Sequence, residues 1–252
     1  MDLGISGRRV AVAASSKGLG LASAMALAAE GAHVVVSSRT ALAVDEAVAR
    51  IIADGGRAWG VVADVSTGEG GADFVARAAE ALGGPVEILV TNAGGPPAGT
   101  FAGTALDAYP AALELNLLSV VGMCKVAVPS MVDAAWGRVL AITSVSVRQP
   151  IPHLILSNTA RAGVTGFLKT LAREVAASGV TVNSVQPGAH ATDRLMSVYG
   201  DKPEAAAAGI PAGTVGDPWD FGKVVAFMCS QQAKFVTGTH VQVDGGAYAG
   251  LL

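Results

Sequence analysis

Short apolar segments alternate along the chain with longer segments in which apolar residues recur at helical spacing. The short segments are rich in valine and isoleucine, as in strands buried on both faces, and the longer ones are rich in alanine. The predicted strands are 9–13, 33–37, 58–63, 88–91, 138–143, 181–185 and 240–243, and the predicted helices are 19–30, 42–53, 73–82, 106–132, 159–177 and 219–230. This order predicts an α/β fold, a doubly wound seven-stranded parallel sheet with helices on both faces.

The whole chain, residues 1–252, is predicted to form a single domain. A hydrophobic content of 51% and a charged content of 15% supply enough apolar material for one core. One long irregular stretch, about 188–218, is rich in Gly, Pro and Ala. Because it follows a predicted strand, we interpret it as a substrate lid, and the alternative is a surface excursion with a short helix near 203–208.

Charge and cysteine content narrow the classes of partner. The net charge is −3 and no Lys/Arg-rich run occurs, which argues against nucleic acid and anionic membranes as partners. The N-terminus shows neither a signal peptide nor a membrane span. Cys124 and Cys229 lie far apart in apolar stretches, as expected of buried free thiols rather than a disulfide or metal ligands. We therefore expect a cytoplasmic protein without a metal site.

The turn after the first strand has the composition of a phosphate-binding loop. It reads Ala13-Ala14-Ser15-Ser16-Lys17-Gly18-Leu19-Gly20. Two glycines let the backbone approach a pyrophosphate, and the helix that follows supplies free N–H groups. Alone, this signal is weak because a glycine-rich turn before a helix is often only a turn.

The end of the second strand indicates which dinucleotide binds. An NAD-binding protein is expected to carry a carboxylate there for the adenosine ribose, whereas this chain has Ser38 and Arg39. Arg39 suits a 2′-phosphate, and Lys17 can reach the same phosphate from the other side. The pattern favours NADP(H); the alternative is a pair of solvated surface cations.

Motifs at the ends of the later strands extend this interpretation over nearly the whole chain. They are Asp64-Val65, Asn92-Ala93-Gly94, Asn116 in the long helix, Ser144, Pro187-Gly188 with Thr192, and Val243-Asp244-Gly245-Gly246. In this order they resemble the short-chain dehydrogenase/reductase family, in particular 3-oxoacyl-carrier-protein reductases. The resemblance implies a Rossmann-type fold.

The resemblance also implies a set of cofactor-binding residues. They are Ser15, Ser16, Lys17, Gly18, Leu19, Gly20, Arg39, Asp64, Val65, Asn92, Ala93, Gly94, Arg161, Pro187, Gly188, His190 and Thr192. One departure is that Ala13-Ala14 replaces the family's Thr-Gly. Alanine fits at position 14 if its φ is negative, although its methyl group crowds the diphosphate.

The resemblance implies a catalytic set in which this chain departs from the family. In the family a tyrosine donates the proton to the carbonyl oxygen, a serine polarises that oxygen, an asparagine anchors a water, and a lysine four residues after the tyrosine lowers the phenol's pKa and holds the nicotinamide ribose. Ser144 and Asn116 match the serine and the asparagine. Ser157 and Arg161 stand where the tyrosine and the lysine are expected.

These two exchanges change the chemistry. An aliphatic hydroxyl is a far weaker acid than a phenol, and serine is too short to reach the phenol's position, so Ser157 is not expected to donate the proton directly. A guanidinium at Arg161 still holds ribose hydroxyls and places positive charge near a developing alkoxide, but it is no proton shuttle.

Other side chains are candidates for the missing proton donor. His153 lies in the stretch 149–158 that lines the substrate pocket in this family, and His190 and Tyr199 are weaker candidates. Tyr109, Tyr248 and His240 are interpreted as structural. Arg148 either binds an acidic substrate group or is solvated.

Three functions remain at this point. The favoured one is an NADP(H)-dependent short-chain oxidoreductase that acts on a carbonyl or alcohol substrate with an atypical catalytic tetrad. The alternatives are a non-redox enzyme (lyase, dehydratase, cyclase or isomerase) and a catalytically silent cofactor-binding protein. The resemblance further implies a homotetramer or homodimer.

Overall fold

The computed structural model describes residues 1–193, 195–196 and 203–251. Within these ranges seven parallel strands form one sheet in the order β3-β2-β1-β4-β5-β6-β7. The strands are β1 (Arg9–Val12), β2 (His33–Ser38), β3 (Arg57–Val62), β4 (Ile88–Thr91), β5 (Gly137–Ile142), β6 (Val180–Pro187) and β7 (His240–Val243). The predicted fold class is confirmed.

Helices cover both faces of the sheet. They are α1 (Gly18–Ala29), α2 (Ala41–Ala53), α3 (Gly68–Ala81), α4 (Ala108–Leu113), α5 (Ser119–Asp133), α6 (Ile155–Val175), α7 (Pro203–Ala207) and α8 (Pro218–Met228). A π-helical turn, Glu114–Leu118, joins α4 to α5, and a 3₁₀ turn, Val145–Val147, follows β5.

The two faces form two separate cores because successive strand residues point to opposite sides. In the fully buried strand β5, Val139 and Ala141 face the core shared with α3, α5 and α6. Leu140 and Ile142 face the core shared with α1, α2 and α8. A strand buried on both sides has no polar face, which explains the continuous apolar runs of the sequence.

The long helical region differs from the prediction in detail. Ala108–Asp133 is continuous, and by length and composition it passes as a membrane span. Met123, Cys124 and Met131 nevertheless lie in the core, so the helix packs as an element of this fold. Burial raises the pKa of both Cys124 and Cys229 to about 12, and both are free thiols.

Helix α6 begins four residues earlier than predicted, at Ile155 rather than at 159. Ser157 and Arg161 therefore lie on one helix, one turn apart, with their side chains on the same side. The short helix expected near 203–208 is present as α7. Tyr199 and its neighbours 197–202 lie outside the described residues.

Candidate active site

The predicted site residues come together at the carboxyl ends of the strands. The strand order runs outward in opposite directions from β1 and β4, so the loops after these two strands diverge and leave a crevice. The loops after β5 and β6 border the same edge. Parallel strands bring all of these loops to one end because every strand points the same way.

The turn after β1 has the shape that a dinucleotide diphosphate requires. A Cβ at Gly20 would lie 2.6 Å from the Ala14 carbonyl oxygen and 2.9 Å from Asn92 Nδ2, so only glycine fits there. Gly18 has a φ of +58°. Among the described residues, no side chain caps the N-terminus of α1, and its first N–H groups remain available to an anion. The residues present fit a nicotinamide dinucleotide.

Ala14 does not meet the condition under which alanine was expected to be harmless. Its φ is +46°, in the left-handed region that disfavours residues with a Cβ. Two hydrogen bonds hold the backbone in this conformation. The Ala14 N–H donates to Ser37 Oγ at 3.0 Å, and the Ala14 carbonyl accepts from Asn92 Nδ2 at 3.0 Å.

Ser15, predicted as a cofactor-binding residue, is hydrogen-bonded within the protein. Its side chain is fully buried, donates to the Val12 carbonyl at 2.7 Å and accepts from the Ser37 N–H at 3.1 Å. Its own N–H donates to the Ser37 carbonyl. The hydroxyl and the backbone N–H of Ser15 thus both hold the turn against Ser37 of β2.

The two cations predicted to bind a 2′-phosphate lie in different surroundings. Arg39 is exposed directly after β2. Lys17 Nζ lies 3.0 Å from Asp193 Oδ2, and both side chains are about three-quarters exposed (74% and 76%). Such an exposed pair is weak, so a phosphate dianion can compete for Lys17.

Thr192, at the start of the stretch predicted as a lid, lies beside the glycine turn, since a Cβ at Gly18 would be 3.6 Å from Thr192 Cγ2. Asp64, predicted as a cofactor-binding residue, is exposed after β3, and its carboxylate accepts the Ser66 N–H at 3.0 Å. The other predicted cofactor residues lie at the carboxyl ends of the strands or in the turns and the helix start that follow them: Ser16, Leu19, Val65, Ala93, Gly94, Pro187 and Gly188.

Ser144, Ser157 and Arg161 are linked through the end of β5. Ser144 follows this strand, and its Oγ accepts the Ser146 N–H at 3.1 Å. Arg161 Nε donates to Ser157 Oγ at 3.3 Å, and Arg161 Nη1 donates to the carbonyl of Ile142, the last residue of β5, at 3.2 Å. The guanidinium therefore joins helix α6 to the strand that presents Ser144.

Asn116 lies in the π-helical turn between α4 and α5, a distortion that is frequent at functional sites. Its Nδ2 donates to the Gly94 carbonyl at 3.0 Å. In the described part of the chain, Asn116 Oδ1 and Thr91 Oγ1 are buried without a hydrogen-bond partner. Both residues line a cavity of about 10 Å³ that Arg161 also borders, which is the volume one water molecule needs.

A larger open cavity of about 260 Å³ borders the residue after Ser144. It is lined by Val145, Gln149, Pro150, Ile151, Pro152, Gly209, Ala247 and Tyr248. Tyr248, interpreted from the sequence as structural, thus belongs to the cavity wall. The Arg148 guanidinium lies 5.8 Å from the Tyr248 ring centroid and is not part of the lining.

The two histidines predicted as candidate proton donors differ in exposure. His153 is exposed, and its backbone carbonyl accepts the Gly99 N–H at 2.9 Å. His190 is buried, with its ring edge-on to Phe221 and its Nδ1 3.2 Å from the Gly188 carbonyl oxygen. Burial lowers the pKa of His190 and keeps the imidazole neutral. Within the described ranges no His, Cys, Asp or Glu side chains are grouped as metal ligands.

Comparison with known proteins identifies similar proteins over almost the full length. A family model described as enoyl-(acyl carrier protein) reductase matches residues 13–248. Dehydrogenase/reductase SDR family member 4 of Sus scrofa is 37% identical over 241 residues, which are 93% of this chain and 85% of that protein. A 3-oxoacyl-[acyl-carrier-protein] reductase of Haemophilus influenzae is 34% identical over 242 residues, 96% of this chain and 98% of that protein.

A solved structure shares the fold closely. L-sorbose reductase from Gluconobacter frateurii, complexed with NADPH and L-sorbose, superposes with a TM-score of 0.92 at 30% identity, and the match covers 100% of both chains.

Proposed function

The chain belongs to the short-chain dehydrogenase/reductase family and is a nicotinamide-dependent oxidoreductase, and from this premise we propose that it interconverts a carbonyl and an alcohol with NADP(H), using Ser144, Ser157, Arg161 and Asn116 in place of the usual tetrad. The observation that carries the proposal is the hydrogen bond from Arg161 Nε to Ser157 Oγ at 3.3 Å. It couples the two exchanged residues into one unit.

The preference for NADP(H) is supported by the charges around the glycine turn. Arg39 follows β2 directly, and no carboxylate ends that strand. Lys17 lies in the turn after β1, and its ammonium pairs with Asp193 in an exposed ion pair. The similar L-sorbose reductase structure holds NADPH. Two cations, with no carboxylate at the end of β2, suit a 2′-phosphate and leave the ribose of NAD(H) without its usual acceptor.

A nicotinamide cofactor held by these residues would supply the hydride to the carbonyl carbon in reduction, or accept it from the alcohol carbon in oxidation. Ser144 donates a hydrogen bond to the carbonyl oxygen and polarises it. Because Ser157 Oγ accepts from Arg161 Nε, the Ser157 O–H is left to donate a hydrogen bond toward the same oxygen without transferring its proton. The Arg161 charge stabilises the alkoxide that forms as the hydride arrives.

The proton that completes the reduction then comes from solvent. Asn116 Oδ1 and Thr91 Oγ1 offer acceptors beside Arg161 in a space of one-water size. A water held there is the nearest proton carrier that these residues can position. The alkoxide oxygen gains this proton and the carbonyl carbon gains the hydride, which balances the reduction to an alcohol.

The proposal is tested in two steps, cofactor binding first. Titration with NADPH and NADH, followed by fluorescence, should give tighter binding of NADPH. A panel of ketones and aldehydes is then assayed for NADPH consumption. Absence of NADPH binding contradicts the proposal, and tight binding without turnover of any carbonyl points instead to a non-redox or silent protein on the same fold.

We also infer that the protein is a cytoplasmic homo-oligomer, a dimer or a tetramer. Support comes from half-exposed apolar side chains on the long helix region, Leu118 and Val126, which a neighbouring subunit can cover. Size-exclusion chromatography with light scattering measures the mass directly. A monomer at micromolar concentration contradicts this inference.

A further inference from the structure

The wall of the larger cavity contains the tripeptide Pro150-Ile151-Pro152, which cannot join a regular hydrogen-bonded element. Proline fixes φ and has no N–H, so Ile151 carries the single backbone donor of the three. That donor is used by a side chain. The Ile151 N–H donates to Asn158 Oδ1 at 3.4 Å, and Asn158 Nδ2 donates to the Ile151 carbonyl at 2.9 Å.

Asn158 therefore binds both backbone groups of Ile151, as a neighbouring strand would. Its own backbone is fixed in α6, where its N–H donates to the Leu154 carbonyl at 2.8 Å. The residue is half-buried, which shields the two bonds from competing water. Because Ser157 is the preceding residue, the same helical turn sets both a catalytic hydroxyl and the cavity wall.

The cavity that this wall bounds is largely apolar. Of the eight described residues that line it, Gln149 and Tyr248 carry polar side-chain atoms, and none is Asp, Glu, Lys or Arg. A ligand hydroxyl or carboxylate buried against Pro150, Ile151 and Pro152 would lose its water without gaining a partner. An apolar ring or alkyl group loses nothing on entering the same space.

We propose that Asn158 is a positioning residue that determines substrate specificity: it holds the apolar Pro150–Pro152 wall against α6, and the cavity selects medium-sized ketones with alicyclic, alkyl or aryl substituents over polyhydroxylated or charged ones. The substrate class rests on the proposed function. The pair of hydrogen bonds between Asn158 and Ile151 does not rest on it, because these bonds are a property of the fold.

The test compares three variants in the full-length protein. Asn158→Leu removes both hydrogen bonds, Asn158→Asp keeps an acceptor for the Ile151 N–H but loses the donor, and Thr159→Ala is the control on the exposed side of the same turn. Each is assayed with cyclohexanone and with 4-hydroxycyclohexanone, which differ by one hydroxyl. NADPH affinity and hydrogen exchange of the Ile151 amide are measured on the same samples.

The wild type should favour cyclohexanone in kcat/KM by about 10- to 100-fold. Asn158→Leu should raise the KM for cyclohexanone about tenfold and narrow the preference for cyclohexanone over 4-hydroxycyclohexanone. It should also speed hydrogen exchange at the Ile151 amide. The NADPH affinity and kcat should stay within about twofold of wild type. Asn158→Asp should be intermediate, and Thr159→Ala should match the wild type.

Two results would overturn the inference separately. Unchanged exchange at Ile151 in Asn158→Leu shows that Asn158 does not hold the wall. A wild-type preference for the hydroxylated ketone rejects the substrate class. If the wild type reduces no carbonyl at all, the proposed function fails and the substrate class fails with it. Hydrogen exchange at Ile151 still shows in that case whether Asn158 holds the wall.

Discussion

The side-chain amide of Asn92 donates a hydrogen bond to the backbone carbonyl of Ala14 at 3.0 Å, and so fixes a strained residue in the phosphate-binding turn. Ala14 has a φ of +46°, and a left-handed conformation costs an L-residue about 1–2 kcal/mol. The strain persists because Ser37 holds the N–H of Ala14 while Asn92 holds its carbonyl. The loop after β4 thus shapes the loop after β1.

Replacing Ala14 by glycine should relieve this strain. Glycine adopts a positive φ freely, and the gain is reduced by the larger entropy of the unfolded chain. We expect Ala14→Gly to raise the free energy of unfolding by about 1 kcal/mol, measured by urea denaturation. NADPH should also bind more tightly, because the methyl group beside the diphosphate is removed.

Ala135 provides a matched control for this substitution. It is the other non-glycine residue with positive φ in the described ranges, at +50°, in the turn between α5 and β5 at the opposite edge of the sheet. Ala135→Gly should stabilise the protein by a similar amount and leave NADPH binding unchanged. Equal effects of the two substitutions on NADPH affinity would mean that the Ala14 methyl group does not crowd the cofactor.

Arg39→Asp should weaken NADPH binding far more than NADH binding. The substitution removes a cation from the proposed 2′-phosphate site and supplies a carboxylate that accepts from a ribose hydroxyl. We expect a loss of about 100-fold for NADPH and less than about threefold for NADH, since a hydrogen-bonded charge pair is worth about 1.5–3 kcal/mol. Arg57→Asp, at the start of β3, controls for the change in net charge. Equal losses for the two nucleotides would refute the phosphate contact.

Periodicity was sufficient to predict the sheet and the strand ends that carry the site. Strands buried on both faces leave continuous apolar runs, and polar residues such as Asp64, Asn92 and Ser144 mark where each run stops. The start of α6 was misjudged by four residues because Ile155, Leu156 and Ser157 follow a Pro-rich stretch that reads as loop.

Contacts between segments distant in sequence could not be predicted in the same way. Tyr248 is part of the cavity wall because the chain after β7 returns to the loop after β5. The spacing of residues along the sequence does not predict this contact. The hydrogen bonds of the Ser15 hydroxyl to Val12 and Ser37 were not predicted either, because the second of them joins the turn to β2. The left-handed φ of Ala14 is imposed by neighbours on other strands, whereas alanine itself prefers the opposite sign.

The Ser157–Arg161 pair can be tested by removing its hydroxyl. Ser157→Ala should lower kcat for the best carbonyl substrate by about 10- to 100-fold, because Arg161 then lacks the hydroxyl that it orients toward the substrate oxygen. NADPH affinity should change less than about twofold. Thr165→Ala, one turn beyond Arg161 on α6, is the control, since its hydroxyl donates only to the Arg161 carbonyl.

The double variant Ser157→Tyr with Arg161→Lys asks whether the family's usual residues would serve better. If Ser157 and Arg161 are the working pair, as proposed, this double variant should be slower than the wild type. A marked rise in carbonyl reduction would show instead that the chain lacks a tetrad and has no substitute for it.

His190 should make the folded state sensitive to acid. Burial lowers its pKa in the native state, so the unfolded chain binds a proton at a higher pH than the folded chain does. The stability that the neutral ring contributes is fully present above the pKa of histidine in the unfolded chain, about 6.5, and is lost as the pH falls below that pKa. His190→Phe keeps a ring against Phe221 but cannot titrate, and it should reduce the fall in unfolding free energy between pH 7 and pH 5.5. His153→Gln, at an exposed position, is the matched control, and a profile unchanged by His190→Phe would show that this imidazole does not set the acid limit.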